Sequence, residues 1–297
     1  MSLWLFATFA AALIQTVRFS LQKALKTAGL SSGGATFSRF LFAAPLALLL
    51  SAILLAATGS PMPDLPGRFW AMVVLGGLAQ IVASIATVAL FSLRSFAVGI
   101  AFTKSETVLV ALFSIIVLGE AVSLAGFAAI LIGLVGVLLL SVPLTGRTFA
   151  LFNRASGLGL VAGAFFGVSA VGYRAASLSI ASDDALLRAA VTLAAVASFQ
   201  VVAMSLWLGW REPGEIGRVL ERWKTTALVG ITSMLGSLGW FVAFTLQNAA
   251  YVRAIGQVEL VFSVLGSWLV FRERSRPREL VGIALLVGSI VMLVLVT

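Results

Sequence analysis

The chain has 297 residues, of which 61% are hydrophobic and only 10% are charged. Soluble domains carry about 25% charged residues, so a soluble protein of this size could not cover its surface with so few charges. The composition therefore indicates a protein whose surface faces lipid. The formal net charge of +9 is attributed to Lys and Arg in cytoplasmic loops, and nucleic-acid binding is not expected.

The missing residue types exclude several kinds of chemistry. The chain has no Cys and no His. Disulfides and thiolate metal sites are therefore excluded, a zinc site is not expected, and any proton relay must use carboxylates. We expect neither a metal nor a cofactor. The N-terminal residues Met1–Trp4 lack the basic segment of a cleavable signal peptide and are interpreted as the start of the first membrane helix.

Apolar segments of about 20 residues, the length of a membrane span, occupy nearly the whole sequence. They predict an all-α polytopic membrane protein with ten transmembrane helices and no separate soluble domain. Loops rich in Pro, Gly or charge, such as 59–66, 210–215 and 272–279, separate some of them. The helices are placed at about 3–28, 37–57, 69–92, 98–118, 124–142, 156–178, 185–209, 224–247, 253–271 and 278–296.

The positions of Lys and Arg predict the orientation of these helices. More of these residues lie in loops after the odd-numbered helices than on the opposite side. The positive-inside rule places such loops in the cytoplasm and both termini outside, as a multi-pass protein of a bacterial inner (plasma) membrane. The residues on the predicted cytoplasmic side are Lys23, Lys26, Arg94, Arg147, Arg154, Arg211, Arg218, Arg222, Lys224, Arg272, Arg274, Arg276 and Arg278.

An internal repeat is the most informative feature of the sequence. Segment 77–91 aligns with segment 230–244, and the same spacing separates Glu106 from Glu259 and Glu120 from Glu273. An ordered series of matches of this kind indicates a duplication. We divide the chain into a first five-helix repeat at 1–142, a linker at 143–155 and a second five-helix repeat at 156–297.

Two consecutive copies of five helices must enter the membrane with opposite orientations, because five is an odd number. The result is an inverted repeat with a pseudo-two-fold axis in the membrane plane. Each half can then adopt the conformation of the other. Alternating access with a binding site near the midplane is the expected consequence.

Short motifs after the fourth and ninth predicted helices resemble a known superfamily. They are Leu118-Gly119-Glu120 and Phe271-Arg272-Glu273, each followed by a Gly-rich helix. The chain resembles the drug/metabolite transporter superfamily, and within it the ten-helix EamA-type transporters. This resemblance implies that helices one to four and six to nine surround a central cavity, with helices five and ten at the periphery. The second motif departs from the Gly-Glu pattern, because Arg272 precedes Glu273.

Polar residues inside apolar helices are the candidates for substrate binding, because lipid penalises them. Gln15 and Arg18 share a face of the first helix, and Gln80 and Ser84 share a face of the third. The alternatives are an ion pair for Arg18 and helix–helix hydrogen bonds for the serines. Trp240 fits a cavity floor or simple space filling. The predicted substrate-binding residues are Gln15, Arg18, Gln80, Ser84, Ser237, Trp240 and Glu259.

Glu106 and Glu259 are the candidates for ion coupling, because they are matched carboxylates inside apolar helices. The alternative is that each forms an ion pair with Lys104 or Arg253, which lie nearby in sequence. Glu120 and Glu273 are interpreted as helix caps or loop-anchoring charges.

These patterns predict a secondary transporter for a small polar or amphipathic metabolite, amino-acid-like or another organic anion. The cations Arg18, Arg39, Lys104 and Arg174 favour a substrate with a carboxylate or phosphate. ATP-driven transport is disfavoured because no Walker-type loop occurs. A lipid or lipid-sugar flippase is the alternative, and a membrane-embedded enzyme is disfavoured. The expected partners are the metabolite and the lipid bilayer, for a monomer or weak dimer.

Overall fold

A computed structural model describes residues 2–59, 61–93, 102–141, 154–262 and 277–296, and this part of the chain is all-helical with no strand. Arg94, Arg147, Glu273 and most of the Arg-rich segment 272–278 lie outside the described residues. The helices are α1 (Leu3–Thr27), α2 (Ser32–Thr58), α3 (Gly67–Leu90), α4 (Glu106–Leu118), α5 (Leu124–Ser141), α6 (Arg154–Leu178), α7 (Ala185–Arg211), α8 (Glu215–Glu221), α9 (Trp223–Leu246), α10 (Ala249–Gly256) and α11 (Pro277–Val296).

Six of the described helices are long and apolar enough to cross a membrane, namely α1, α2, α3, α6, α7 and α9. Helices α4, α5 and α11 contain shorter apolar stretches. Large apolar side chains such as Ile116, Leu206 and Leu295 point outward and are 69%, 71% and 81% exposed. Water would penalise this surface and lipid would not, so the helices form a multi-pass membrane bundle.

Local sequence signals set several helix ends. The Ser31 side chain accepts a hydrogen bond from the Gly34 amide at 2.8 Å and caps the N-terminus of α2. Asp184 caps α7 in the same way. Gly59 and Gly119 end α2 and α4 with φ angles of 61° and 68°, a conformation that only glycine adopts without strain.

Two of the predicted continuous helices are interrupted. Residues 102–103 are helical, residues 104–105 form a turn, and α4 begins at Glu106. In the second half, α10 ends at Gly256, Gln257 is a turn residue, and residues 258–262 are helical again. Both interruptions occur beside charged side chains inside the bundle. The short helix α8 was predicted as part of a charged loop, and it begins directly after Pro213-Gly214.

The strongest helix contacts join the first half of the chain to the second half. Helix α1 packs along α9, α3 along α6, α2 along α7, and α5 along α11. Helix α4 lies between α6 and α10, and α10 also contacts α1. The core is therefore shared between the halves and surrounds the space between α1, α3, α6 and α9.

Helices α5 and α11 approach each other at two glycines. A Cβ atom built on Gly136 would lie 2.8 Å from the Gly282 carbonyl oxygen, and one on Gly282 would lie 2.9 Å from the Gly136 carbonyl oxygen. Two turns away, the Ser289 hydroxyl donates to the Ala129 carbonyl at 2.8 Å. Small residues permit this backbone contact in a membrane.

We expect Gly136→Ala to lower the melting temperature of the detergent-purified protein, because the added methyl group must push two backbones apart. The cost of such overpacking is about 1–3 kcal/mol. Gly288→Ala on α11 is the matched control, since its Cβ would meet nothing within 4 Å. Differential scanning fluorimetry measures both variants. Equal melting temperatures for the two would contradict the assigned α5–α11 contact.

Candidate functional site

A cavity of about 320 Å³ lies inside the bundle. Helices α1, α2, α3, α6, α9 and α10 contribute to its lining, together with residues at the two interrupted segments. Its charged lining residues are Lys23, Arg39, Lys104, Glu106, Arg253 and Glu259, and its aromatic ones are Phe19, Phe91, Phe166, Tyr173, Trp240, Phe241 and Phe244. A metabolite-sized cavity with converging charges in an apolar bundle is a candidate binding site.

The predicted substrate-binding residues lie in and directly behind this lining. The ones that line the cavity are Gln15, Gln80, Ser237, Trp240 and Glu259. Arg18 and Ser84 are buried behind the lining, each one side chain removed from it. Arg18 Nη2 donates to Gln15 Oε1 at 3.2 Å, and Ser84 Oγ accepts from Arg39 Nη1 at 3.1 Å.

Two crossed ion pairs lie where the interrupted helices meet. Lys104 pairs with Glu259, and Glu106 pairs with Arg253. All four side chains are at most 14% exposed. Each pair connects the 102–118 segment to the 249–262 segment, so the two charge pairs link the first half of the chain to the second. The alternative interpretation of the two glutamates as ion-pair partners is thus the arrangement in the structure.

Both glutamates lie at the start of a helical segment. Glu106 is the first residue of α4, and Glu259 lies in the first turn of the helical segment that follows Gln257. Each carboxylate is paired with a cation from the opposite segment.

Gln15 connects the ion pairs to the aromatic side of the cavity. Its Nε2 atom donates to Glu259 Oε2 at 2.6 Å. Its Oε1 atom accepts from Trp240 Nε1 and from Arg18 Nη2, both at 3.2 Å. These contacts fix the orientation of the amide, and the Gln15 side chain in turn fixes the indole of Trp240.

Aromatic residues of α6 and α9 form the apolar side of the cavity. Tyr173 stacks on Phe241 with ring centroids 4.5 Å apart, and Trp240 stacks on Phe244 at 6.0 Å. We call these four residues the aromatic cluster. The Arg253 guanidinium lies 4.8 Å from the centre of the Trp240 ring, so the cluster also contacts the ion pairs.

Tyr173 and Gln200 also belong to the polar network around the cavity, and they were not among the residues predicted from the sequence. Gln200 Nε2 donates to Gln80 Oε1 at 2.9 Å, and the Tyr173 hydroxyl donates to the Gly76 carbonyl at 3.0 Å. A primary amide in an apolar helix and one of only two tyrosines in the chain were signals that could have identified them. The spacing of Ser237, Trp240 and Phe244 on one face of α9 also indicated a lining helix.

Arg174 joins three elements at one end of the bundle. Its Nε and Nη2 atoms donate to the Glu120 carboxylate at 2.8 and 2.6 Å. Its Nη1 atom donates to the carbonyls of Phe244 and Gln247 at 2.5 and 2.6 Å. This Arg174–Glu120 anchor ties α6 to the loop after α4 and to the C-terminal end of α9. It places Glu120 in the loop-anchoring role that the sequence suggested.

The cavity extends toward the opposite end of the bundle. Its lining includes Lys23 near the end of α1 and Phe91 at the end of α3. At this end, acidic residues around α8 hold the loop between α1 and α2. The Ser31 amide donates to Glu215 Oε1 at 2.6 Å, and Arg218 Nη1 donates to Glu215 Oε2 at 2.7 Å.

Comparisons with known proteins identify the class of this fold. Matches to solved structures comprise 28 chains. One crystal structure, described only as that of a protein, is 20% identical, with a TM-score of 0.66 over 97% of this chain and 99% of its own length. At that identity the likeness establishes the fold alone. A search of curated proteins finds no match.

The fold is that of a multi-pass membrane protein. Residues 153–295 match the sequence profile of the EamA-like transporter family. The second half of the chain is therefore an EamA-like transporter family domain, and the resemblance to the drug/metabolite transporter superfamily is confirmed.

We expect Lys104→Gln and Glu259→Gln each to lower the melting temperature more than the double substitution does. Each single change leaves a buried charge without its partner, which costs about 3–5 kcal/mol, whereas the double change removes both charges. The three variants and the wild type form a double-mutant cycle in thermal unfolding. Additive losses would show that the pair is not energetically coupled.

Proposed function

We propose that the chain is a secondary transporter that moves a small polar or amphipathic metabolite across a bacterial inner membrane by alternating access. The cavity carries this proposal. Six charged side chains line it, although a charge in the membrane interior costs roughly 2.5–3.5 kcal/mol on insertion scales. Such a cost is tolerated where charged groups line a path for a polar solute. The volume of about 320 Å³ suits a metabolite.

The proposal includes ten membrane spans in two inverted five-helix repeats. In that scheme α6 is the counterpart of α1, and α9 is the counterpart of α3. The pseudo-two-fold axis then relates the α1–α9 contact to the α3–α6 contact. The α2–α7 and α5–α11 contacts join counterparts directly, as contacts across a two-fold axis must. The packing therefore supports an axis through the cavity.

The interrupted helices supply the moving parts of the proposed mechanism. A break in a membrane helix is tolerated where it lines a cavity, and it allows the two flanking segments to reorient. The crossed ion pairs lie at these breaks and link the halves. Reorientation of one half against the other would shift these contacts, release the Arg174–Glu120 anchor and close the opposite end around the α1–α2 loop.

The orientation follows from the positive-inside rule. Lys23 and the α8 segment, with Arg218 and Arg222, belong to the cytoplasmic side in this assignment. The cavity reaches toward Lys23, while the Arg174–Glu120 anchor closes the external end. The described state is thus assigned as open toward the cytoplasm.

Flux through proteoliposomes tests the proposal. We expect the wild type to move members of a panel of labelled amino acids and organic acids. The Lys104→Gln/Glu259→Gln double variant should lower the initial rate at least tenfold, because it removes charges from the cavity and leaves neither partner unpaired. Size-exclusion chromatography checks that it stays monodisperse.

Arg211→Gln is the control for the flux assay, because this exposed arginine ends α7 and contacts Trp210 outside the cavity. It should transport at the wild-type rate. Flux of no panel member would contradict the proposal. Scrambling of fluorescent lipids without solute flux would replace it with the flippase alternative.

A further inference from the structure

The charges around the cavity do not balance locally. Two carboxylates line it, and each is bound in one of the crossed ion pairs with Lys104 or Arg253. This cluster of four is neutral. Lys23 is exposed near the end of α1, where water can solvate it. Arg39 is the remaining cation of the lining, and it is only 4% exposed.

Arg39 is held by neutral groups. Its Nη1 atom donates to Ser84 Oγ at 3.1 Å and its Nη2 atom to Ser237 Oγ at 3.5 Å. Among the described residues, Arg39 takes part in no ion pair. Hydroxyl groups orient a guanidinium but do not neutralise it. The two serines come from α3 and α9, so they hold the cation between the two halves of the chain.

An aromatic surface continues from the same side of the cavity. Ser237 shares a face of α9 with Trp240 and Phe241, which lie three and four residues further along the helix. Trp240 is fixed by its hydrogen bond to Gln15, and Phe241 is fixed by stacking on Tyr173. Arg39 of α2 therefore lies next to a rigid aromatic surface on α9, and Ser237 lies between them.

We propose that the cavity binds a small organic monocarboxylate with an aromatic or other flat apolar group. The carboxylate binds Arg39 between Ser84 and Ser237, and the apolar group lies against the aromatic cluster. One carboxylate neutralises the charge of Arg39, and a guanidinium fork matches its two oxygens. Arg39 alone would not neutralise a phosphate dianion, and Arg18, the other buried cation outside the ion pairs, lies behind the lining and donates to Gln15. This assignment rests on the proposed transport function, whose substrate class it names.

Ligand binding to the purified full-length protein tests this assignment with matched probes. We expect 3-phenylpropionate to bind at least tenfold more tightly than its uncharged amide, 3-phenylpropionamide, in isothermal titration calorimetry. Phenethylamine supplies a cation on a similar skeleton, and phenyl phosphate supplies a dianion. Both should bind more weakly than 3-phenylpropionate.

Arg39→Gln should lower the affinity for 3-phenylpropionate at least tenfold and change that for the amide less than twofold. Arg39→Lys should restore part of the lost affinity, because it keeps the charge but not the fork. Arg211→Gln should bind as the wild type does. If Arg39→Gln is not monodisperse, the Ser84→Ala/Ser237→Ala double variant replaces it and should lower affinity for the acid but not for the amide.

Four results would each overturn the assignment. They are equal binding of the acid and the amide, tighter binding of the amine or the phosphate, an Arg39→Gln variant with unchanged affinity for the acid, and no binding of any probe. Flux measurements separate it from the transport proposal. Transport of uncharged or cationic metabolites without binding of 3-phenylpropionate would leave transport standing and remove the carboxylate assignment. Binding of the acid by a protein that moves no solute would leave the carboxylate assignment standing and remove the transport proposal.

Discussion

The crossed ion pairs are the constraint on which the rest of the structure depends. Four charges placed inside a membrane bundle are tolerated only when they are paired and shielded from lipid. Pairing Lys104 with Glu259 and Glu106 with Arg253 forces the 102–118 and 249–262 segments to meet. That meeting point interrupts both helices and leaves a polar space beside them. The cavity is therefore a consequence of the charge pairing and of the helices that enclose it.

The other contacts of the site build outward from this point. The Gln15 amide links Glu259 to Trp240 through hydrogen bonds of 2.6 and 3.2 Å. Trp240 belongs to α9, whose C-terminal carbonyls bind Arg174 at one end of the bundle. The charge pairs, the aromatic cluster and the anchor thus form one connected path along the cavity. A change at the ion pairs can reach the end of the bundle through contacts that are all polar or stacked.

The sequence predicted the all-helical fold, the membrane environment and several polar residues that line the cavity, because each depends on composition and helical periodicity. The matched carboxylates Glu106 and Glu259 were found from the repeat alone. The helix breaks at Lys104 and Gln257 were not. Neither contains Pro, and Gly256, directly before Gln257, is one of many Gly residues inside the apolar helices. Arg39 was noted only as one cation among several. Its lack of an acidic partner depends on which side chains the fold brings near it, and no single-sequence pattern encodes that.

The central claim is that one cavity is exposed to the two sides of the membrane in turn. The chain has no native Cys, so Thr16→Cys places a single thiol in the cavity lining. Its labelling by a membrane-impermeant maleimide, in right-side-out and inside-out vesicles, measures the claim directly. We expect labelling from both sides of the membrane. A transported solute should change the labelling rates in right-side-out and inside-out vesicles in opposite directions. Labelling from one side alone, with and without solute, would contradict it.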